Sequence, residues 1–247
     1  MQPENAVATI DRAKKDLVIA NRILAHQNVL DSFGHVSLRH PVDPQRYLLA
    51  RSCSPGIVTI HDIVEFSLDG RPVGRESRPL YLERHLHGAI YECHPSVNAV
   101  LHAHSDDMLP FTVTDIPLRP VIQSVGDMGE IIPLWDIADN FGEDTDLLVS
   151  TLEMGRDLAH CLLPNRVVLL RGHGFVSVDE TIASLVRLAV FLPRNARVLL
   201  AALSLGKEVK GLKPGEIAAR RRLDANSPSM RRGWEFWARE SGCEDLL

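Results

Sequence analysis

His102 and His104 stand in the run Val100-Leu-His-Ala-His-Ser-Asp106, at the end of an apolar stretch. In an extended strand, residues two apart project to the same face, so both imidazoles can reach one point in space. That geometry suits a metal ion, but a tetrahedral or five-coordinate centre needs at least a third protein ligand at about 2 Å. His173 is one candidate, in Val167-Val-Leu-Leu-Arg-Gly-His-Gly-Phe175, where flanking glycines let backbone approach closely. Glu83 is another, in Leu82-Glu-Arg-His-Leu-His-Gly-Ala-Ile-Tyr91. Neutral imidazoles plus a carboxylate make a nitrogen and oxygen donor set that suits zinc, manganese or iron, and no cysteine stands among them as in a structural zinc knuckle.

The elements that must position these groups follow from periodicity. Ile10, Ala13, Leu17, Ala20 and Leu24 recur at helical spacing and predict an amphipathic helix ending near Asn28, covering one face of a sheet. Residues 36–38, 47–50 and 63–67 read as short strands, with a turn at Leu68-Asp-Gly70. Residues 80–93 read as the helix that carries Glu83, and 97–103 as the strand that carries the histidine pair. Beyond Thr112-Val-Thr-Asp115 lies a loop-rich stretch, 124–145, then a helix over about 147–162 and a strand over 166–171 that delivers His173. A long apolar helix is expected from Thr181 toward Leu205. Pro193 should kink or break it, because proline lacks an N–H and crowds the preceding turn.

The ordered set Glu83, His102, His104 and His173 in these contexts resembles the class II aldolase/adducin-type family. The resemblance covers nearly the whole chain: Phe33-Gly-His-Val-Ser-Leu-Arg39, where the family usually reads Gly-Asn-hydrophobic-Ser, then Asp62-Ile-Val-Glu-Phe-Ser-Leu-Asp-Gly70, Glu83-x-x-x-His87, the His-Ala-His strand and Arg171-Gly-His-Gly174. It implies an α/β fold, a three-layer α-β-α arrangement around a mixed, mostly antiparallel sheet. It also implies three histidine ligands with a glutamate that is ligand or acid/base, and a tetramer with active sites completed across subunits.

The departures from the family pattern point to the substrate. Members that act on sugar phosphates carry a Thr-Pro-Ser-Gly-like loop and a Ser-Ser pair before the glutamate, hydroxyls and N–H groups that suit phosphate oxygens. This chain reads Arg51-Ser-Cys-Ser-Pro-Gly56 and Leu80-Tyr-Leu82 instead, has His35 in place of the asparagine, and has no tyrosine in Leu118-Arg-Pro-Val-Ile-Gln123, the region where the aldolases place a catalytic one. A subgroup similar at these altered points, with a Trp-rich C-terminal segment, consists of metal-dependent decarboxylases of hydroxylated aromatic or pyridine dicarboxylates in ring degradation. One metal serves both chemistries, since each leaves an electron pair conjugated to a metal-bound oxygen. The resemblance thus favours a carboxy-lyase acting on an ortho-hydroxy aromatic acid, ahead of an aldolase or epimerase for a non-phosphorylated hydroxy-keto substrate. A metal-free interaction module like the adducin head is the alternative of another class, against which the intact Glu/His set speaks.

The expected roles are then specific. His102, His104 and His173 bind one divalent metal per subunit, zinc or manganese, with iron or cobalt as substitutes; Glu83 is a fourth ligand or the acid/base. His35 and His85 are candidate second proton carriers, or equally a capped turn and a solvated helix face, and His87 reads as packed behind the ligands. Arg51, whose planar fork matches a carboxylate, is the first candidate for anion recognition, Arg84 the second, with Ser52 and Ser54 as hydroxyl donors and Tyr81 as a stacking surface; each arginine is as easily a solvated surface residue. Trp234 and Trp237 in Ser229-Met-Arg-Arg-Gly-Trp-Glu-Phe-Trp-Ala238 lie at helical spacing. They predict a docking helix that closes the domain, or one that caps a pocket with Arg231 or Arg232 on the substrate.

Composition bounds the rest. At 247 residues and 45% hydrophobic content the chain can bury one sizeable core with no linker to divide it, so residues 1–247 read as a single domain with its Trp-rich segment at about 229–240. A net charge of −5 leaves no basic footprint for nucleic acid. Four scattered cysteines without a Cys-x-x-Cys, a polar N-terminus and no apolar run near 20 residues predict a cytoplasmic protein with no membrane association. The partners expected are a small anionic substrate and further copies of the chain, through the apolar surface of the 181–205 helix.

Overall fold

The computed structural model describes residues 3–222 and 224–247. In chain order the elements are α1 (Pro3–His26), β1 (His35–Arg39), β2 (Arg46–Ala50), β3 (Ile63–Ser67), α2 (Arg84–Cys93), β4 (Ala99–Ala103), β5 (Leu134–Trp135), α3 (Ala138–Phe141), α4 (Leu152–Leu162), β6 (Val167–Leu170), β7 (Gly174–Asp179), α5 (Ile182–Ser204), α6 (Pro214–Arg220) and α7 (Pro228–Glu240). Among the described residues, seven strands form one sheet in the order β3-β2-β1-β4-β7-β6-β5. Every neighbouring pair is antiparallel except β5–β6. Helices α1, α5 and α7 pack together over one face, and α2 and α4 over the other. The layers are therefore α-β-α, as the resemblance implied.

Strands β4, β6 and β7 are buried at every position, because helices cover both of their faces. That explains why β6 is an unbroken Val-Val-Leu-Leu run. The strand expected over 97–103 begins two residues later, at Ala99, whereas β7 has no counterpart in the sequence-based expectation. Its sequence, Gly-Phe-Val-Ser-Val-Asp, starts directly after His173, the glycine-flanked histidine that the preceding strand delivers.

Three boundaries differ from the sequence-based expectation, and two of them shape the site. Helix α2 starts at Arg84, not 80, so residues 80–82 stay free to line a pocket and Glu83 sits at the helix entry. Helix α4 starts at Leu152, where the Thr151 side chain accepts a hydrogen bond from the Met154 N–H and caps it. The residues before it, with Leu147 at φ +66°, run as a loop against Glu83. Pro193 does not break α5, which continues to Ser204. Leu185, Leu188, Leu192, Ala196 and Leu199 are all buried, and their burial outweighs a proline cost of about 3 kcal/mol. The expected end of α1 is met by Asn28 in the left-handed region, φ +56°, with the Val29 and Leu30 N–H groups donating back to the Leu24 carbonyl.

Candidate metal centre

The start of β1, the end of β4 and the start of β7 meet at one end of the sheet, because these central strands are antiparallel. His35 pairs in register with His102, so their side chains lie on adjacent strands and the same face. Gly174 opens β7 immediately after His173. A Cβ there would lie 2.3 Å from the Ala103 carbonyl oxygen, so only glycine lets the two strands close beside the ligand residues.

Glu83, His102, His104 and His173 each offer one donor atom, all within 4.8 Å of one another. His104 Nε2 lies 3.1 Å from His102 Nε2 and 3.1 Å from His173 Nε2, and Glu83 Oε2 lies 3.3 Å from His102 Nε2 and 3.8 Å from His173 Nε2. Tetrahedral ligands at 2.0–2.1 Å from one ion are separated by about 3.3 Å. The spacing therefore fits a small divalent cation.

The hydrogen bonds behind the ligands give a second test of that fit. His102 Nδ1 donates to the Phe175 carbonyl at 3.2 Å, and His104 Nδ1 donates to the Asp31 carboxylate at 3.1 Å. When neutral, each ring therefore carries its proton on Nδ1 and a bare lone pair on Nε2. Two such lone pairs at 3.1 Å cannot hydrogen-bond to each other. They repel unless a cation stands between them or one ring takes a second proton, and His102, whose charge Glu83 favours, is the ring that can hold it.

Glu83 is withheld from its ordinary use. A carboxylate at a helix entry usually caps the first turn, but Glu83 makes no capping bond. Its Oε1 accepts the Val149 N–H at 3.0 Å, which turns Oε2 toward the imidazoles. Burial pushes this carboxyl up, yet the facing His102, His35 and His173 pull it, on balance, far below the usual carboxylate range. His102 shows the reciprocal effect: burial disfavours its charge, but Glu83 prevails and raises it. Burial and the neighbouring His102 charge hold His173 down at about 4, and burial lowers His104. The cluster draws one positive charge toward Glu83 and keeps the other imidazoles neutral, the state a metal ligand needs.

Beside it runs a chain of buried polar groups. His35 Nδ1 and His87 Nε2 are 2.7 Å apart, His87 Nδ1 and Ser37 Oγ 2.7 Å, and Ser37 Oγ and Tyr91 Oη 2.8 Å. Burial holds His87 down at about 3 and His35 well below its ordinary value. His87 is thus packed behind the ligands, as its helical spacing from Glu83 indicated.

A cavity of about 460 Å³ opens over the cluster, lined by Phe33, Ser52, Leu80, Tyr81, Leu82 and Leu148, with His35, Glu83, His104 and His173 at its base. Of the substrate residues expected from sequence, Ser52 and Tyr81 reach it. The Tyr81 ring packs 4.5 Å from the His35 ring, and its hydroxyl donates to the Cys53 carbonyl. Arg51, Arg84 and Ser54 are not brought there. Arg51 donates to Asp62 at 2.7 Å; Arg84 donates to the Gly70 and Tyr81 carbonyls, each at 2.8 Å, and so braces the loop before Glu83; Ser54 precedes the short 3-10 helix at 55–57. The two guanidiniums satisfy partners inside the chain first. His85 is also elsewhere, packed against Gly70.

Asp31, Phe33 and Leu148 were not anticipated. Asp31 accepts the N–H groups of Phe33 and Gly34, both at 2.8 Å, as well as orienting His104. The Asp-Ser-Phe-Gly run is an Asx-turn signal that, standing four residues before His35, was available in the sequence. Leu148 lies in the stretch read as helix.

Residues 15–200 match the family described as Class II Aldolase and Adducin N-terminal domain. The chain is 33% identical to the decarboxylase tropJ of Talaromyces stipitatus, over 88% of this chain and 90% of that one. It is 27% identical to the 3,4-dihydroxyphthalate decarboxylase of Arthrobacter keyseri, over 83% and 85%. Among solved structures, an aldolase II superfamily protein from Pseudomonas syringae superposes with a TM-score of 0.78 at 21% identity, covering 96% of this chain and 95% of that one.

Proposed function

Because the chain belongs to the class II aldolase and adducin family, we propose that it is a metal-dependent carboxy-lyase that removes carbon dioxide from an ortho-hydroxy aromatic or heteroaromatic carboxylate in ring breakdown. The observation that carries this reading is the convergence of four donor atoms at the base of a pocket walled by Phe33, Leu80, Tyr81, Leu82 and Leu148. Apolar and aromatic walls suit a ring. The relatives support it: two are named as decarboxylases, and 3,4-dihydroxyphthalate carries, by its name, a hydroxyl next to a carboxylate.

Glu83, His102, His104 and His173 are assigned as the residues that hold the cation, zinc or manganese, with iron or cobalt as substitutes. When bound, the cation supplies positive charge beside the substrate's hydroxyl and carboxylate oxygens and so draws electrons from the breaking carbon–carbon bond. Loss of carbon dioxide leaves an electron pair on the ring carbon, and one proton must be delivered there. His35 is assigned that delivery: with its Nδ1 accepting from His87 Nε2–H, the neutral ring carries its proton on Nε2 at the pocket, gives it to the ring carbon and takes up the His87 proton on Nδ1. Glu83 is assigned as a ligand first, with the acid/base role as its alternative. Ser52 donates to the carboxylate, and Tyr81 offers its ring face. With Arg51 and Arg84 engaged elsewhere, an acid with its one essential carboxylate at the reacting carbon fits the pocket better than one needing a second anion clamp.

The test is carbon dioxide release from a panel of ortho-hydroxy aromatic acids by metal-loaded protein, with the same protein after chelation as control. Release that chelation abolishes is expected. Turnover of a hydroxy-keto sugar instead would make the chain an aldolase or epimerase, and protein purified without stoichiometric metal would make it an adducin-like module. A homo-oligomer, tetrameric by resemblance and cytoplasmic, completes the reading; light scattering checks the assembly. Among the described residues no helix is long and apolar enough to cross a membrane.

A further inference from the structure

A second concave site lies between α5, α6 and α7 and shares no lining residue with the metal pocket. It is a groove of about 740 Å³ whose cationic residues are Arg187, Arg220 and Arg232 and whose aromatic wall is Phe191, Phe236 and Trp237. Phe191 and Trp237 meet edge to face with ring centroids 6.1 Å apart.

The charges beneath this groove do not balance. Asp127 and Asp179 are buried, and Arg166 bridges them with 2.9 Å contacts to each. Arg187 also pairs with Asp127, and its other nitrogen donates to the Ser124 carbonyl. Arg220 is the third guanidinium, and among the described residues it makes no salt bridge with a carboxylate. Its Nε is buried with no hydrogen-bond partner. Burial and the charge of Arg187 both work against its own charge, which only Asp127 favours. A buried N–H donor left unpaired is costly, so an acceptor for Nε is the missing part.

Two glycines make the room. The Arg220 stem lies where a Cβ on Gly126 would stand, 2.7 Å from its Cγ. In α7, a Cβ on Gly233 would sit 3.4 Å from the six-membered ring of Trp237, so a larger side chain there would lie over the indole. The first lets the guanidinium in, and the second keeps the ring uncovered.

We infer that this groove is a binding site for a small aromatic carboxylate, held by Arg220 through its carboxylate and by Trp237 and Phe191 through its ring. A guanidinium recognises a carboxylate through parallel N–H donors, and a planar ring stacks on an indole with little entropy to lose, so the two halves of the site ask for the two halves of one molecule. The inference stands apart from the assignment of the metal pocket. The competing arrangement has Arg220 rotating to meet Asp127 Oδ1, which is also buried without a partner. That would close the groove to anions.

The experiment is calorimetric titration of full-length, chelator-treated protein with benzoate, with cyclohexanecarboxylate and inorganic phosphate as comparison probes. Benzoate is expected to saturate one site per chain and to bind tighter than either probe. Arg220→Gln should weaken it by about tenfold or more, the worth of a charge-assisted pair, and Gly233→Leu should weaken benzoate while leaving phosphate as it was. Metal-loaded protein should bind benzoate at this site equally well. No saturable binding, phosphate binding as tightly as benzoate, or benzoate binding that disappears on chelation would each overturn the inference. If Arg220→Gln shifts the melting temperature or loses the fold, Gly233→Leu decides alone, and unchanged benzoate affinity in that folded variant would also overturn it.

Discussion

Two groups of histidines occupy neighbouring places at the same end of the sheet, and they solve burial in opposite ways. In the chain His35–His87–Ser37–Tyr91 the polar atoms are 2.7–2.8 Å apart, and each contact can be a hydrogen bond in one direction or the other. In the cluster of His102, His104 and His173 the Nε2 atoms are 3.1 Å apart, with the protons of two rings drawn away to Phe175 and Asp31. The first group is complete without a ligand. The second brings lone pairs together that need a cation or an added proton, and that difference, more than the residue types, separates the candidate ligand histidines from the structural ones.

The largest effect that would break this contrast comes from the cluster itself. His104→Ala should take metal content from about one per chain to below about a tenth and decarboxylation down by about a thousandfold or more, because the His104 imidazole is the one that faces both others. Metal analysis and turnover measured on the same preparation check it. Full metal retention would mean that the 3.1 Å contacts are not a coordination site.

Next comes the pH dependence of the metal-free protein. His173, held at about 4, and His87, held at about 3, are buried neutral; unfolding returns both toward the ordinary value of 6.5. A depressed pKa stabilises the fold fully above 6.5, and that stability is lost as pH falls through the window toward the folded value. His102 has the opposite sign, since its raised pKa gives stability at low pH that is lost as pH rises. His35 and His104 are depressed as well, so the depressed groups outnumber it and stability should fall by at least about 3 kcal/mol from pH 6.5 to 4, measured by urea unfolding. Bound metal should shift this loss to lower pH, because protons must then displace it.

Asp31 sharpens the comparison from outside the ligand set. Asp31→Asn leaves the turn but weakens the acceptor that fixes His104, and should lower metal affinity about 10- to 100-fold with the fold intact. Ser37→Ala, in the completed chain, should leave metal affinity unchanged while costing about 1–3 kcal/mol, the cost of a buried His87 Nδ1 without a partner. If Ser37→Ala loosened the metal as much as Asp31→Asn, the two groups would be one network.

How far this could be read from the sequence depends on whether the signal was local. Glu83, His102, His104 and His173 were legible because strand alternation and helix entry fix their direction within a few residues. The α-β-α layering came through as well, from the resemblance in motif order. Strand β7 was missed since its first residue follows a ligand, and a Gly-rich flank reads as loop until β4 is seen pairing with it at Ala103↔Phe175. The start of α4 was missed because Leu147, Leu148 and Val149, just before Thr151, extend the apolar pattern of the helix that follows. Long-range partners left no local trace: nothing near Arg51 in sequence announces that Asp62, across a loop, will take its guanidinium.

Arg51 therefore supplies the smallest expected effect. In the sequence it was the leading candidate for binding the substrate carboxylate, which would make Arg51→Ala raise KM steeply with metal intact. In the structure its Nε donates to Asp62 at 2.7 Å, while Thr59 N–H and hydroxyl bind the other oxygen of the same carboxylate at 2.9 and 2.7 Å, and Arg78 stands 4.0 Å away. Burial pushes the Asp62 carboxyl up, but the Thr59 and Arg51 contacts together hold it below its usual value. Since Thr59 and Arg78 remain, removing Arg51 should cost only about 1 kcal/mol of stability, and KM for the carboxylate substrate should stay within about twofold. A steep rise in KM would show that the guanidinium leaves Asp62 when substrate enters, and would restore to the pocket the anion clamp that its lining otherwise lacks.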